Sequence, residues 1–298
     1  MSEQVKFESC YAKWDGERLT IGNRLVERIW RLDNGLLFAE SLYDKIADFE
    51  WLKESSTFPS WTPPFLFDEE RTVSFETSED RSMPVSESSL CVMLHVASAS
   101  QKMIYQFGIF PNASAVTGQM IVEGGIEAES VSTEDESAPT GVELQDASNK
   151  QEGSDENDAL DVVVLTPQHL RVIQVELKDR TDVHNELVFE NEWLLLTNEN
   201  NLRLQGNLFV FEDVLTGNGL IVLKHAPLPH ARPVGCDFDT LIQGGRQLIR
   251  LYGHGMGQGV FEGYPATMSA YCGGDFGRQE ALQNFQRQVR VYDSDRDG

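Results

Sequence analysis

Apolar residues in this chain fall in short alternating or continuous runs, and the runs are cut by turn signals. Lys6 to Trp14, Leu19 to Leu32 and Leu36 to Tyr43 are separated by Asp15-Gly16 and by Asp33-Asn34-Gly35. A two-residue type I′ turn needs positive φ at both central positions, which Asn-Gly supplies. The pattern therefore predicts three antiparallel strands at the start. Runs resume at Arg71–Phe75, Leu90–Ala97 and Gln101–Phe110. They become dense at Asp161–Thr166, Leu170–Leu177, Leu187–Thr197, Leu202–Leu215 and Gly219–His225, with Thr216-Gly217-Asn218-Gly219 as the clearest hairpin turn of that set. Short strands at even spacing indicate an all-β sandwich or barrel and not a βαβ fold. One helix signal stands out near the end. Asp275 reads as its N-cap, Glu280 and Ala281 lie among good helix formers, and Leu282, Phe285 and Val289 share a face.

Two stretches break the pattern. Asp48 to Phe67 carries Trp51, Phe58, Trp61, Phe65 and Phe67 among Pro59, Pro63 and Pro64. Prolines exclude a regular helix or a central strand, so this is a long aromatic loop. Its aromatics either lid the core or, at Trp51 or Trp61, offer a flat apolar face to a sugar ring. Those two tryptophans are the candidate substrate-binding residues. Glu123 to Asp158 holds about a dozen acids against one base, Lys150, and too little apolar surface to offset the entropy of ordering. A disordered acidic insertion over 123–158 is the expectation. Its run Asp155-Glu156-Asn157-Asp158 lacks the spacing and glycine of an EF-hand loop.

Charge narrows the partners. The 298 residues carry 48 acids against 24 bases, a net charge of −24. Nucleic acid and anionic membrane surfaces require clustered Lys and Arg, so neither is expected. No apolar stretch approaches the length that spans a bilayer, and MSEQVKFESC has no signal-peptide core. Cys10, Cys91, Cys236 and Cys272 form no CxxC pair. Free thiols and a cytoplasmic location are the expectation.

Most catalytic motifs fail on inspection. The glycines at 253, 255, 257 and 259 alternate, but Gln258 and Val260 stand where a dinucleotide loop needs glycine. HExxH and G-x-S-x-G are absent from the sequence. His225, His230 and His254 are not at ligand spacing, so no metal and no cofactor are expected. His95 lies in an apolar strand and reads as a core histidine. His230 and Arg232 sit in a proline-rich connector, APLPHARPVG.

The last stretch resembles a known family. Leu251-Tyr252-Gly253, Tyr271, Gly274, Arg278, Ala281-Leu282, Phe285-Gln286-Arg287, Arg290, Tyr292, Asp293 and Arg296-Asp297-Gly298 look like a segment of glycoside hydrolase family 36, the α-galactosidase-like enzymes. Gly22-Asn23, Glu27-Arg28 and Asn34-Gly35-Leu36-Leu37 are similar to the family's opening strands. The resemblance covers both ends well and the middle poorly. It implies a large antiparallel β-supersandwich over 1–274. A helical connector over 275–298 would lead to a catalytic (β/α)₈ barrel that begins past Gly298. Such a barrel needs about 250 residues of alternating strand and helix, a pattern this chain does not have.

The family's catalytic aspartates lie on barrel strands, so no catalytic residue is carried over to this chain. Asp295 and Asp297 read as connector residues. The implied role is an accessory domain that supports the barrel and helps assemble a homo-oligomer. It would border a pocket for an α-galactoside or related sugar, and would be inactive alone. A stand-alone carbohydrate-binding module is the alternative. A sandwich-fold sugar epimerase is a third reading, with His169, His184 and Glu192 conceivable as an acid–base set.

Overall fold

The computed structural model describes residues 3–63, 71–78, 88–99, 101–123, 159–177, 188–196, 201–225, 240–243, 247–253 and 262–288. The acidic stretch 124–158, the connector 226–239 and the glycine run 254–260 lie outside the described residues. So do Phe65, Phe67, His184, Cys236 and everything past 288.

The described residues form three antiparallel sheets and one helix. The first sheet has six strands in sequence order: β1 (Glu3–Phe7), β2 (Cys10–Trp14), β3 (Arg18–Gly22), β4 (Val26–Asp33), β5 (Leu36–Asp44) and β6 (Phe49–Glu50). The pattern predicted three strands here, and the structure splits two of the runs. Glu8 takes a positive φ of 52° and folds β1 back onto β2. The side chain of Asn23 accepts the amides of Leu25 and Val26, turning β3 into β4. Hydrophobic periodicity cannot see such side-chain-made turns, because the run stays apolar across them. The Asn34-Gly35 turn has both residues at positive φ, 52° and 80°, as the type I′ geometry requires.

The aromatic stretch is less irregular than its prolines suggest. After β6 it enters β7 (Leu52–Glu54), which belongs to a second, five-stranded sheet. That sheet also contains β12 (Ala159–Leu165), β15 (Asn201–Leu204), β18 (Thr240–Gln243) and β19 (Leu248–Tyr252). The third sheet has nine strands: β8 (Thr72–Ser78), β9 (Leu90–Ala97), β10 (Lys102–Ile109), β11 (Ala115–Glu123), β13 (His169–Leu177), β14 (Val188–Leu196), β16 (Leu208–Asp213), β17 (Gly219–Lys224) and β20 (Ala266–Tyr271). Their order is β14-β13-β16-β17-β20-β11-β10-β9-β8, so β20 sits at the centre between β17 and β11.

Alternation along each strand sends one set of side chains into a single core shared by all three sheets. Ala12, Trp30 and Leu42 come from the six-stranded sheet, Leu94, Phe107 and Phe211 from the nine-stranded one, and Leu165, Ile242 and Ile249 from the five-stranded one. Polar bolts cross between sheets. Tyr105 donates its hydroxyl to the Gly35 carbonyl at 3.1 Å, and the Asn23 amide donates to Phe110 and Ala113, each at 2.7 Å.

Helix α1 (Gly274–Gln288) starts one residue before the predicted cap, so Asp275 lies in its first turn. Ala281 and Leu282 pack on Ile173, Val210, Ile221 and Tyr271, on the face of the large sheet turned away from the main core. Among the described residues the helix is covered on its sheet side, and Phe276 is exposed. Gly274 donates its amide to Gly217 at 2.8 Å, tying the helix start to the β16–β17 turn. Gly277 lets the helix sit this close, since a Cβ there would lie 1.7 Å from the Cys272 carbonyl oxygen. Gly277→Ala is therefore expected to lift the helix and cost about 1–3 kcal/mol, as overpacking does. Thermal denaturation, with faster proteolysis within 274–288, would show it. An unchanged melting temperature would mean that the contact is not rigid.

Candidate functional site

The aromatic loop leads to the interior of the molecule. Trp51 is wholly buried, hydrogen-bonded through its backbone to Leu42 and Thr166 and packed edge-on against Phe49. From there the chain is pinned by backbone bonds from Ser56 to Ala39, Ser60 to Leu37 and Trp61 to Leu160. This delivers the Trp61 ring between sheets, 4% exposed, against Trp30 and Phe107 with centroids 6.1 and 5.4 Å away. The fit relies on Gly118, where a Cβ would fall 2.4 Å from the indole. Trp61 itself holds φ at 48°, a left-handed conformation rare for a bulky residue. Neither tryptophan offers a face to solvent, so the structure places both candidate substrate-binding residues in the core. The physical reason is the pinning: each turn of the loop is hydrogen-bonded to an inner strand, and the apolar rings follow the backbone inward.

Beside Trp61 lies a charged centre that joins the motif residue Arg28 to Asp161, an acid that no sequence motif marks. Arg28 of β4 and Asp161 of β12 form an ion pair at 2.6 Å, 2% and 1% exposed. Asp161 also accepts the Ser60 hydroxyl at 2.6 Å and the Val162 amide at 2.9 Å. The Arg28 guanidinium lies 5.1 Å from the centroid of Trp30. Burial holds this guanidinium below its ordinary pKa, and the Asp161 and Glu50 carboxylates act in the opposite direction. A lone acid in the apolar run Leu160–Leu165 was the available signal, because a buried carboxylate needs a cation. The strand alternation of Val26, Arg28 and Trp30 places that cation on the inward face. The pair joins the six-stranded to the five-stranded sheet and fixes the loop through Ser60. Its carboxylate is committed to three donors, which suits it to positioning and not to proton transfer.

A second polar group lies on the outward face of the large sheet, under strands β11, β17 and β20. Thr117 and Thr267 are register partners whose hydroxyls meet at 2.8 Å, and His225 Nε2 lies 2.8 Å from the Thr267 hydroxyl. Gln119 donates to the Glu262 carboxylate and the Gly263 carbonyl, both at 2.9 Å. Burial pushes the His225 pKa from 6.5 down to about 4, so the fold holds it neutral. Because the folded value is the lower one, its contribution to stability is full above pH 6.5 and declines as pH falls toward about 4. His225→Gln is expected to flatten the denaturation midpoint across that window. A wild-type and a variant profile that run parallel would sink this assignment.

The remaining sequence candidates do not converge. His169 pairs in register with Leu196, whereas Glu192 pairs with Ile173 and is held by Arg171 at 2.7 Å. Among the described residues no three His, Cys, Asp or Glu gather to hold a metal ion, and no helix is long and apolar enough to cross a membrane.

The residues at the helix are better connected. The Tyr271 hydroxyl donates to buried Glu212 at 2.7 Å, and Glu212 also faces Arg171 at 3.3 Å and Arg278 at 3.7 Å. Asp275 bridges Arg171 at 3.2 Å and Arg278 at 3.1 Å. Gly219, opposite Tyr271 in the ladder, leaves room for its ring.

No protein-family model matches the chain, and no curated protein does. Among solved structures, the alpha-galactosidase from Lactobacillus brevis is similar over 92% of this chain and 42% of that one, with a TM-score of 0.45 and 8% sequence identity. The chain spans less than half the length of that protein.

Proposed function

We propose that this chain is the N-terminal accessory domain of an α-galactosidase-like glycoside hydrolase. In this reading residues 1–274 form a β-supersandwich that braces a catalytic (β/α)₈ barrel, and residues 275–298 connect to it. The observation that carries the reading is the contact unit around Tyr271. Tyr271, Arg278, Ala281 and Leu282 carry the sequence resemblance, and these side chains hold helix α1 on the large sheet. The opening motif is likewise used structurally. Asn23 makes the β3–β4 turn, Arg28 the buried ion pair, and Asn34-Gly35 the β4–β5 hairpin. A set of motif residues that fixes helix α1 on the β body suits a junction to a further domain. The homo-oligomeric state and the cytoplasmic location belong to the same proposal.

The chain by itself is expected to leave an aryl α-galactoside unhydrolysed. Sustained turnover that is lost when one of its own carboxylates is replaced would overturn the assignment. Titration with galactose separates bracing from sugar binding. Saturable heat that survives in a folded Trp61 variant would place a sugar site elsewhere on the domain.

A further inference from the structure

The Arg28–Asp161 centre borders a cavity of about 20 Å³, lined also by Trp30, Trp61, Leu42 and Met268. A cavity needs roughly 10–15 Å³ to hold one water molecule, which then requires two to four polar partners. The lining residues supply them. Arg28 Nη1 is buried and, among the described residues, meets no acceptor, although Nη2 of the same guanidinium is bonded to Asp161. The indole N–H groups of Trp30 and Trp61 are likewise buried donors without an acceptor among the described residues. Asp161 has lone pairs left after its three hydrogen bonds.

We infer that this cavity is a binding site for a single water molecule, held between Arg28 Nη1 and the Asp161 carboxylate and completing the bolt between the six- and five-stranded sheets. The ligand must both accept and donate. Its oxygen takes the guanidinium hydrogen, and one of its hydrogens returns to the carboxylate. A halide would satisfy the donors equally well. However, it would face the Asp161 carboxylate across the same small space, where a second negative charge is repelled. An apolar guest would leave the buried, charged Arg28 Nη1 donor unpaired, with its desolvation uncompensated.

The test is high-resolution diffraction from crystals of the whole chain soaked in sodium bromide. The expected result is a water-sized peak within hydrogen-bond reach of Arg28 Nη1, with no anomalous signal. A bromide anomalous peak would assign the site to an anion and overturn the inference, and so would featureless density. The double variant Arg28→Met/Asp161→Leu, which removes the charges together, supplies the control. Its cavity is expected to be dry, and a peak that persists there would show that the pair is not what holds the molecule.

Discussion

Asp161→Ala is expected to lower the stability of the fold by about 3–5 kcal/mol, the range seen when one partner of a buried ion pair is removed. The Arg28 guanidinium would stay 2% exposed with no counter-charge at 2.6 Å. The Ser60 hydroxyl and the Val162 amide would lose their acceptor in the same step. Arg28 lies on the buried face of β4, so it has no short route to solvent. Urea denaturation reads the loss as a lower midpoint with an unchanged slope. Arg28→Met/Asp161→Leu should recover most of it, because an apolar pair of similar volume is often neutral or stabilising in such a place. If the single variant lost less than about 1 kcal/mol, the charge would be reaching water and the centre would not be sealed.

Trp61→Ala is expected to cost a similar amount, about 3–5 kcal/mol, the range for deleting a buried aromatic ring. The ring fills the space between Trp30, Phe107 and the bare backbone of Gly118. Alanine would inherit the positive φ at position 61, so the backbone strain remains and does not offset the loss. The partner variant makes the prediction specific. Gly118→Ala alone should cost about 1–3 kcal/mol by overpacking against the indole. In the Trp61→Ala background only the Phe107 ring, 3.2 Å from the added methyl, must still give way, so Gly118→Ala should cost clearly less there. A double-mutant cycle with no coupling between the two would show that the ring does not depend on that glycine. Near-native stability in Trp61→Ala would return the ring to the surface, where a sugar could reach it.

The fold class was legible because two-residue alternation survives wherever one face of a strand is buried. Asn34-Gly35 and Thr216–Gly219 marked their hairpins because their φ requirement is written in the residue types. What stayed hidden was made by partners distant in sequence. Arg28 and Asp161 are 133 residues apart, and nothing local to either names the other. Trp61 among its prolines reads either as a lid on the core or as an open face for a sugar, and nothing local decides between the two. Its burial follows from three backbone bonds to strands that only the folded topology brings near. The Thr117–Thr267–His225 group was invisible for the same reason, since threonines in strands are ordinary until two of them meet in register.

The place of β20 bears on how the chain is made. It is the last described strand in sequence, yet it occupies the middle of the largest sheet, between β11 and β17. A ribosome adds about 5–20 residues each second, so β11 waits on the order of ten seconds for its neighbour. During that interval β11, and later β17 once it has been made, each present a naked inner margin of unpaired amides and carbonyls. Nascent chains stalled before residue 266 should therefore recruit chaperones strongly, and that recruitment should fall away once Ala266–Tyr271 clears the exit tunnel.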